Sequence, residues 1–147
     1  MKDSFKIYNN EAFICSVVCE ILKKNEVDIG RLFLLVALFL NDKITNDKSL
    51  SRFSSFLDYV NNNERKFVSF SNYYEELLPL TLNSLTLLCE LDVVSIHGKI
   101  TKLKVSDYFA DVNSDRLNQI ILRQDLVLDL TRNLNDAELY NILRIKL

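Results

Sequence analysis

Residues that punctuate a backbone are scarce in this chain. Two glycines (Gly30, Gly98) and one proline (Pro79) serve all 147 residues, too few to turn the many short strands of a sandwich or barrel, so long helices are expected. Histidine occurs once, as His97, which removes most metal and acid–base constellations at the outset. Cysteine is also sparse. Cys15 and Cys19 share a helical face at i, i+4, as zinc ligands can, but no second Cys or His pair completes the roughly four ligands of a structural site. With Cys89 they are expected to be reduced thiols packed as small hydrophobes, a usage that fits a reducing cytoplasm. No glycine-rich phosphate loop of the form GxxxxGK[ST] is present. Long apolar runs are missing too. The most apolar stretch, Leu32 to Leu40, is bounded by Gly30-Arg31 and Asn41-Asp42 and falls short of the ~20 residues that span a bilayer. The start, MKDSFKIYNNEAF, lacks the apolar core of a signal peptide.

What remains is the composition of a soluble globular chain, 48% hydrophobic and 26% charged. Its length suits one domain, residues 1–147, without repeat or linker. Asn9 or Asn10 is expected to cap a first helix, with Phe13, Val17, Val18, Ile21 and Leu22 on its apolar face and Lys23-Lys24-Asn25 closing it. Asp28 caps a second helix through about Leu40, apolar nearly all round and therefore expected at the centre of the core. A polar connector, NDKITNDK, leads to a third helix over Ser49–Asn61, with Leu50, Phe53, Leu57 and Val60 inward. A fourth runs from Glu64 to about Leu77, with Phe67, Phe70, Tyr74 and Leu77 inward. Pro79 lacks an N–H and disfavours helical geometry at Leu78, so it is expected to kink the helix or restart it as a fifth, through Leu91. Ser114 or Asp115 caps a sixth helix ending near Asn133, and Asp136–Leu143 makes a last short helical turn.

Between the fifth and sixth helices the pattern changes period. Leu82, Leu85, Leu88 and Leu91 recur at helical spacing, then Val93, Val94 and Ile96 take strand chemistry. His97-Gly98-Lys99 turns the chain, and Ile100, Leu103 and Val105 return along a second strand. A helix followed by such a hairpin is how a winged-helix module ends. The expected fold is mainly α: a compact helical domain of about six helices, with a winged-helix-like unit whose β-hairpin wing lies near 93–105.

Candidate chemistry thins out on inspection. Glu75-Glu76 is the closest pair of carboxylates, but adjacent helical residues point about 100° apart and do not face each other. His97 has no neighbouring Ser or Cys nucleophile and reads as a polar turn residue. Phe67, Phe70, Tyr73 and Tyr74 sit at helical spacing and read as core rather than as a platform for stacking bases. The sequence therefore suggests neither an enzyme nor a bound cofactor or metal. The wing is locally basic through His97, Lys99, Lys102 and Lys104, with Lys102 and Lys104 expected on the same side of the strand, away from the core. Those cations are candidates for contact with phosphates or a partner. Edge protection is the plainer explanation, since lysines on an exposed strand discourage unwanted pairing. The net charge of −2 gives the whole molecule no attraction for nucleic acid.

The order of these segments resembles the small middle components of three-component ABC-type defence systems, including the Lamassu-type middle subunits, over almost the whole chain. Asn10-Glu11-Ala12-Phe13 stands where that family has N-P-A-hydrophobic at its first helix. Arg31-Leu32-Phe33-Leu34-Leu35-Val36-Ala37-Leu38-Phe39-Leu40-Asn41 resembles its leucine-rich second helix, of the kind LLFLVLPLVLH. Leu77-Leu78-Pro79-Leu80-Thr81 with Ser84-Leu85 is similar to its L-x-P-x-T-x-x-A-L segment before a hairpin. Glu138-Leu139-Tyr140-Asn141-Ile142-Leu143-Arg144-Ile145 is similar to a close of the form I-Y-x-x-L-G-I. Glu11 replaces the usual Pro, Ala37 the helix Pro, Asn41 the His and Arg144 the Gly.

The resemblance implies a cytoplasmic accessory subunit, without catalytic residues of its own, that docks on an SMC-like ABC ATPase and a nuclease-type effector in defence against phages and plasmids. DNA would be touched weakly, through the complex, and no membrane is involved. An adaptor should expose an apolar patch of several hundred Å² rimmed by charge, with the wing and the C-terminal helix the expected contributors. The alternative is a stand-alone winged-helix DNA-binding regulator. That alternative needs a basic recognition helix before the wing, whereas Thr81 to Leu91 contains no Lys or Arg and carries Glu90. An enzyme with an unfamiliar site would need a polar pocket with perturbed carboxylates.

Overall fold

The computed structural model describes residues 2–105 and 115–145, with side chains described from Glu11 onward. Its elements run α1 (Lys2–Lys24), β1 (Val27–Asp28), α2 (Ile29–Leu40), α3 (Asp42–Thr45), a 3-10 turn (Lys48–Arg52), α4 (Phe56–Asn62), α5 (Glu64–Phe67), α6 (Phe70–Glu90), β2 (Val94–His97), β3 (Ile100–Leu103), α7 (Asp115–Thr131) and α8 (Asp136–Ile142). The fold is mainly α with a small antiparallel sheet in the order β1-β3-β2. A helix, a strand, further helices and then a hairpin whose last strand pairs with the first is winged-helix connectivity. The mainly helical, winged-helix-like expectation is therefore met.

α2 holds the centre. Eight of its residues, Leu32 and Leu34 through Leu40, are buried, and it packs on α1, α6, α3 and α7. Asp28 caps it as expected, its carboxylate accepting from the Gly30 N–H at 2.9 Å. Burying a Leu or Val side chain contributes about 1.5–3 kcal/mol, so this one helix supplies a large share of the stabilisation. An aromatic chain runs beside it. Phe53, Phe56, Tyr59, Phe67, Phe70 and Tyr73 succeed one another at centroid distances of 5.3–6.4 Å. These rings are core, and Tyr73 donates from its hydroxyl to the Leu40 carbonyl at 2.9 Å.

Several local expectations give way. α1 starts at Lys2, well before the Asn9 or Asn10 expected to cap it. The Ser114 cap lies outside the described residues, and α7 begins its described span at Asp115. The connector after α2 contains α3, whose Ile44 and Thr45 are buried. The third helix is broken: the 3-10 turn ends at Phe53, and α4 restarts with Ser55 accepting from the Asp58 N–H. The break turns Phe56 and Tyr59 inward and leaves Leu57, expected inside, 46% exposed.

Pro79 does not restart the chain as a fifth helix, because α6 continues from Phe70 to Glu90. Packing on α1, α2 and β2 outweighs the single hydrogen bond that a proline forgoes. α6 then stops without a glycine. Asp92 takes φ 61°, its N–H reaching the Cys89 carbonyl and that of Val93 the Leu88 carbonyl, which is a Schellman end with Asp in the left-handed position. α8 ends the same way at Arg144, φ 57°, with the Ile145 N–H on the Tyr140 carbonyl at 2.9 Å.

Candidate interaction surface

The hairpin pairs Val94 with Leu103, Ser95 with Lys102, Ile96 with Thr101 and His97 with Ile100. Gly98, at φ 64°, occupies the first position of the two-residue turn that only glycine fills without strain. Alternation then sorts the side chains. Val94, Thr101 and Leu103 face the helices, whereas Ser95, His97, Ile100 and Lys102 lie on the opposite face. The third strand was not foreseen. Val27 and Asp28 pair with Thr101 and Ile100, the Thr101 hydroxyl donates to the Val27 carbonyl at 2.6 Å, and the Ile29 N–H reaches the Lys99 carbonyl. The wing is thereby sewn to the start of α2.

This stitching changes the electrostatics of the wing. Lys102 lies 3.4 Å from Glu26, beside β1, and Lys104 lies 2.5 Å from Asp92, at the end of α6. Lys104 is past the end of β3, so the two lysines serve separate carboxylates and do not form one basic stripe. His97 and Lys99 are exposed at the tip and have no ion pair among the described residues. The structure thus keeps His97, Lys99, Lys102 and Lys104 together at the wing but pairs two of them, Lys102 and Lys104, with carboxylates.

α6 occupies the place of a recognition helix and has the opposite character. Over its 21 residues it carries no Lys or Arg. Its solvent stripe exposes Asn72, Glu75, Glu76, Pro79, Leu82, Asn83, Thr86, Leu87 and Glu90, with Leu82 52% and Leu87 40% exposed. None of the three glutamates has a cation within ion-pairing distance among the described residues, and Glu64 and Glu138 on other helices likewise have none. The other large exposed apolar side chains are dispersed. Ile96, Ile100 and Val105 lie on the wing, Leu57 and Val68 beside α4 and α5, and Leu122 on α7. α8 contributes none of them, contrary to the expectation placed on the C-terminal helix.

Clefts in the surface are small and internally compensated. One, of about 430 Å³, lies between the ends of α1, α2 and α7 and carries Lys24, Glu26, Arg31, Asp125, Asp129 and Arg132. Its charges pair off, Lys24 with Asp125 at 3.8 Å and Arg132 with Asp129 at 2.8 Å. A second, apolar recess of about 230 Å³ between α1 and α6 includes Phe13, Tyr73 and Arg116. The Arg116 guanidinium lies 4.9 Å from the Phe13 ring and donates to the Leu40 carbonyl.

Perturbed titration falls on structural groups. Burial by itself would raise the Asp47 carboxyl, but hydrogen bonds from Lys66, Ser49 and Tyr59 outweigh it and hold the group well below the usual carboxylate range. With both oxygens occupied, Asp47 is a joint between α4, α5 and the 3-10 turn. Burial pushes the Cys15 thiol up to about 11 and the Cys19 thiol up to about 12, which keeps them protonated and unreactive at neutral pH. No group of three or more His, Cys, Asp or Glu residues able to hold a metal occurs among the described residues. None of their helices is long and apolar enough to cross a membrane.

Sequence reasoning missed the roles of Asp47 and Arg31. Asp47 carried a usable signal, an Asx residue two before Ser49 at a helix start. Arg31 carried none, because its partners lie about a hundred positions away. Comparison of the chain with protein-family models, with curated proteins and with solved structures gives no match.

Proposed function

We infer that the chain is a non-catalytic adaptor: a winged-helix-like middle subunit that docks an SMC-like ABC ATPase and a nuclease-type effector in a cytoplasmic complex defending against phages and plasmids. The observation that carries docking over DNA reading is α6. A helix entering the major groove needs cations toward phosphates and donors toward base edges. This one offers three exposed glutamates without an ion-pair partner among the described residues and two exposed leucines, a surface that repels the DNA backbone and suits a protein. The resemblance supplies the identity of the partners. Arg144 supports it, since the residue standing where the family pattern has glycine takes the left-handed conformation that glycine favours.

The test is co-expression with the ATPase and effector encoded beside this chain, followed by purification through the chain. A stable complex with a long coiled-coil ATPase is expected. The second reading, a stand-alone DNA-binding regulator, is favoured by the winged-helix connectivity and by the exposed tip residues His97 and Lys99. It would win if the chain purified alone and bound duplex DNA with an affinity falling steeply with salt.

A further inference from the structure

We propose that residues Val27–Arg31 form a clasp that couples the C-terminal helix α8 to the wing, so that the two elements open and close as one unit.

The wing grips this segment from its own side. Val27 and Asp28 pair with Thr101 and Ile100. The Thr101 hydroxyl donates to the Val27 carbonyl at 2.6 Å, and the Ile29 N–H donates to the Lys99 carbonyl at 2.7 Å. The C-terminal segment grips the next two residues. The Tyr140 hydroxyl donates to the Gly30 carbonyl at 3.2 Å and lies 3.2 Å from the Tyr74 hydroxyl. Arg31 donates to the Leu134 carbonyl at 2.7 Å and the Asp136 carboxylate at 3.2 Å, on either side of the α8 cap Asn135. Five consecutive residues therefore hold groups that lie 74 and 110 positions further along the chain.

Asp28 and Gly30 join the two grips. The Asp28 backbone belongs to β1, while its carboxylate accepts from the Gly30 N–H at 2.9 Å. A Cβ on Gly30 would stand 3.3 Å from that carboxylate and 3.4 Å from the Tyr140 hydroxyl. The cap of α2 and the tip of the Tyr140 ring thus meet over one glycine, and moving either disturbs the other.

Neither partner of the clasp is stable by itself. β1 has two residues, and its ladder is correspondingly short. α8 has seven residues, below the length at which a helix persists alone, and is seated by Leu139 and Leu143, 0% and 1% exposed. Marginal elements that share an anchor open together. Linkage makes the coupling reciprocal: lifting α8 frees the wing, and gripping the wing tightens α8. His97 and Lys99 stand exposed at the tip, so the clasp sets how firmly they are presented, whether to protein or to DNA. It goes beyond the adaptor reading and does not depend on it.

Native-state hydrogen exchange of the full chain tests the clasp. Four amides report: Ile29, bonded to the Lys99 carbonyl; Leu143, bonded within the α8 end; Tyr59, bonded to Ser55 in α4; and Leu85 in the α6 core. In the wild type, Ile29 and Leu143 should share one opening equilibrium and exchange faster than Leu85. Tyr140→Phe, which removes the donor to Gly30, should speed both by the same factor, about fivefold or more. Thr101→Val, which removes the donor to Val27, should do the same from the wing side. Asp47→Asn, in the separate joint beside α4, should speed Tyr59 and leave Ile29 and Leu143 unchanged. Asp136→Asn, at a partly exposed position, repeats the test from α8 if Tyr140→Phe does not fold. The proposal is overturned if Tyr140→Phe or Asp136→Asn speeds Leu143 and leaves Ile29 unchanged. It is equally overturned if Ile29 exchanges in the wild type as slowly as Leu85, because the wing would then open only with the whole molecule.

Discussion

Arg31, in the first turn of α2, closes the far end of α7 through Thr131. Its Nη2 donates to the Thr131 carbonyl at 2.5 Å, and Nη1 reaches the Leu134 carbonyl at 2.7 Å and the Asp136 carboxylate at 3.2 Å. The last carbonyls of a helix have no intrahelical donors and carry its negative end, so this half-buried cation satisfies the Thr131 carbonyl and offsets the negative end of α7. Arg31→Ala should lower stability by about 2–4 kcal/mol, read as a drop in urea midpoint. Arg31→Lys should recover only part of it, because an ammonium cannot span both carbonyls in the fork geometry.

Asp47 makes stability depend on acid. Its carboxyl titrates below the ordinary range when folded, since the bonds from Lys66, Ser49 and Tyr59 outweigh burial. Its contribution is therefore complete above the unfolded value of about 4 and is lost as pH falls through the folded value. Asp47→Asn should cost about 2–3 kcal/mol at neutral pH and flatten the fall in stability below pH 4. An unchanged acid limb in pH-dependent urea unfolding would remove Asp47 from this role.

The thiols should divide by burial. Cys15 and Cys19 are 1% and 4% exposed, whereas Cys89 is only partly buried. Native protein treated with an aromatic disulfide reagent near pH 8 should modify Cys89 first and leave Cys15 and Cys19 protected. All three should react in denaturant. Equal native rates for all three would show that α1 opens far more readily than its packing implies.

Pro79 should be a stability defect that the fold tolerates. Pro79→Ala restores the donor to the Glu75 carbonyl in an exposed stretch of α6 and should raise stability by about 1–3 kcal/mol, net of the greater freedom of the unfolded chain. A lower urea midpoint would mean that the ring is packed more tightly than its exposure suggests.

Arg144 sits at φ 57°, a conformation that is uphill by roughly 1–2 kcal/mol for most L-residues. Arg144→Gly should therefore stabilise the protein by up to about 1 kcal/mol after glycine's larger entropy loss, seen as a rise of a few degrees in Tm. Arg144→Val should do the reverse, because a β-branched side chain clashes with the left-handed backbone.

What could be read along the chain was whatever depends on near neighbours. Leu32 to Leu40 is apolar on every side, so only a central position could satisfy it, and α2 is buried accordingly. Asp28 before Ile29, the strand chemistry from Val93 and the glycine at 98 each act within a few residues, and each element formed where its local chemistry put it. Tertiary structure decided the rest. Val27 and Asp28 become a strand only because Thr101 and Ile100 come alongside, and two residues have no periodicity to read. Pro79 stays helical because α6 is held along its length by α1 and α2, a packing gain that local propensity does not contain. The wing lysines look like a basic patch in sequence and are partly neutralised in space, because Glu26 and Asp92 approach from other elements. Charge acts over distance, and which charges meet is a property of the fold.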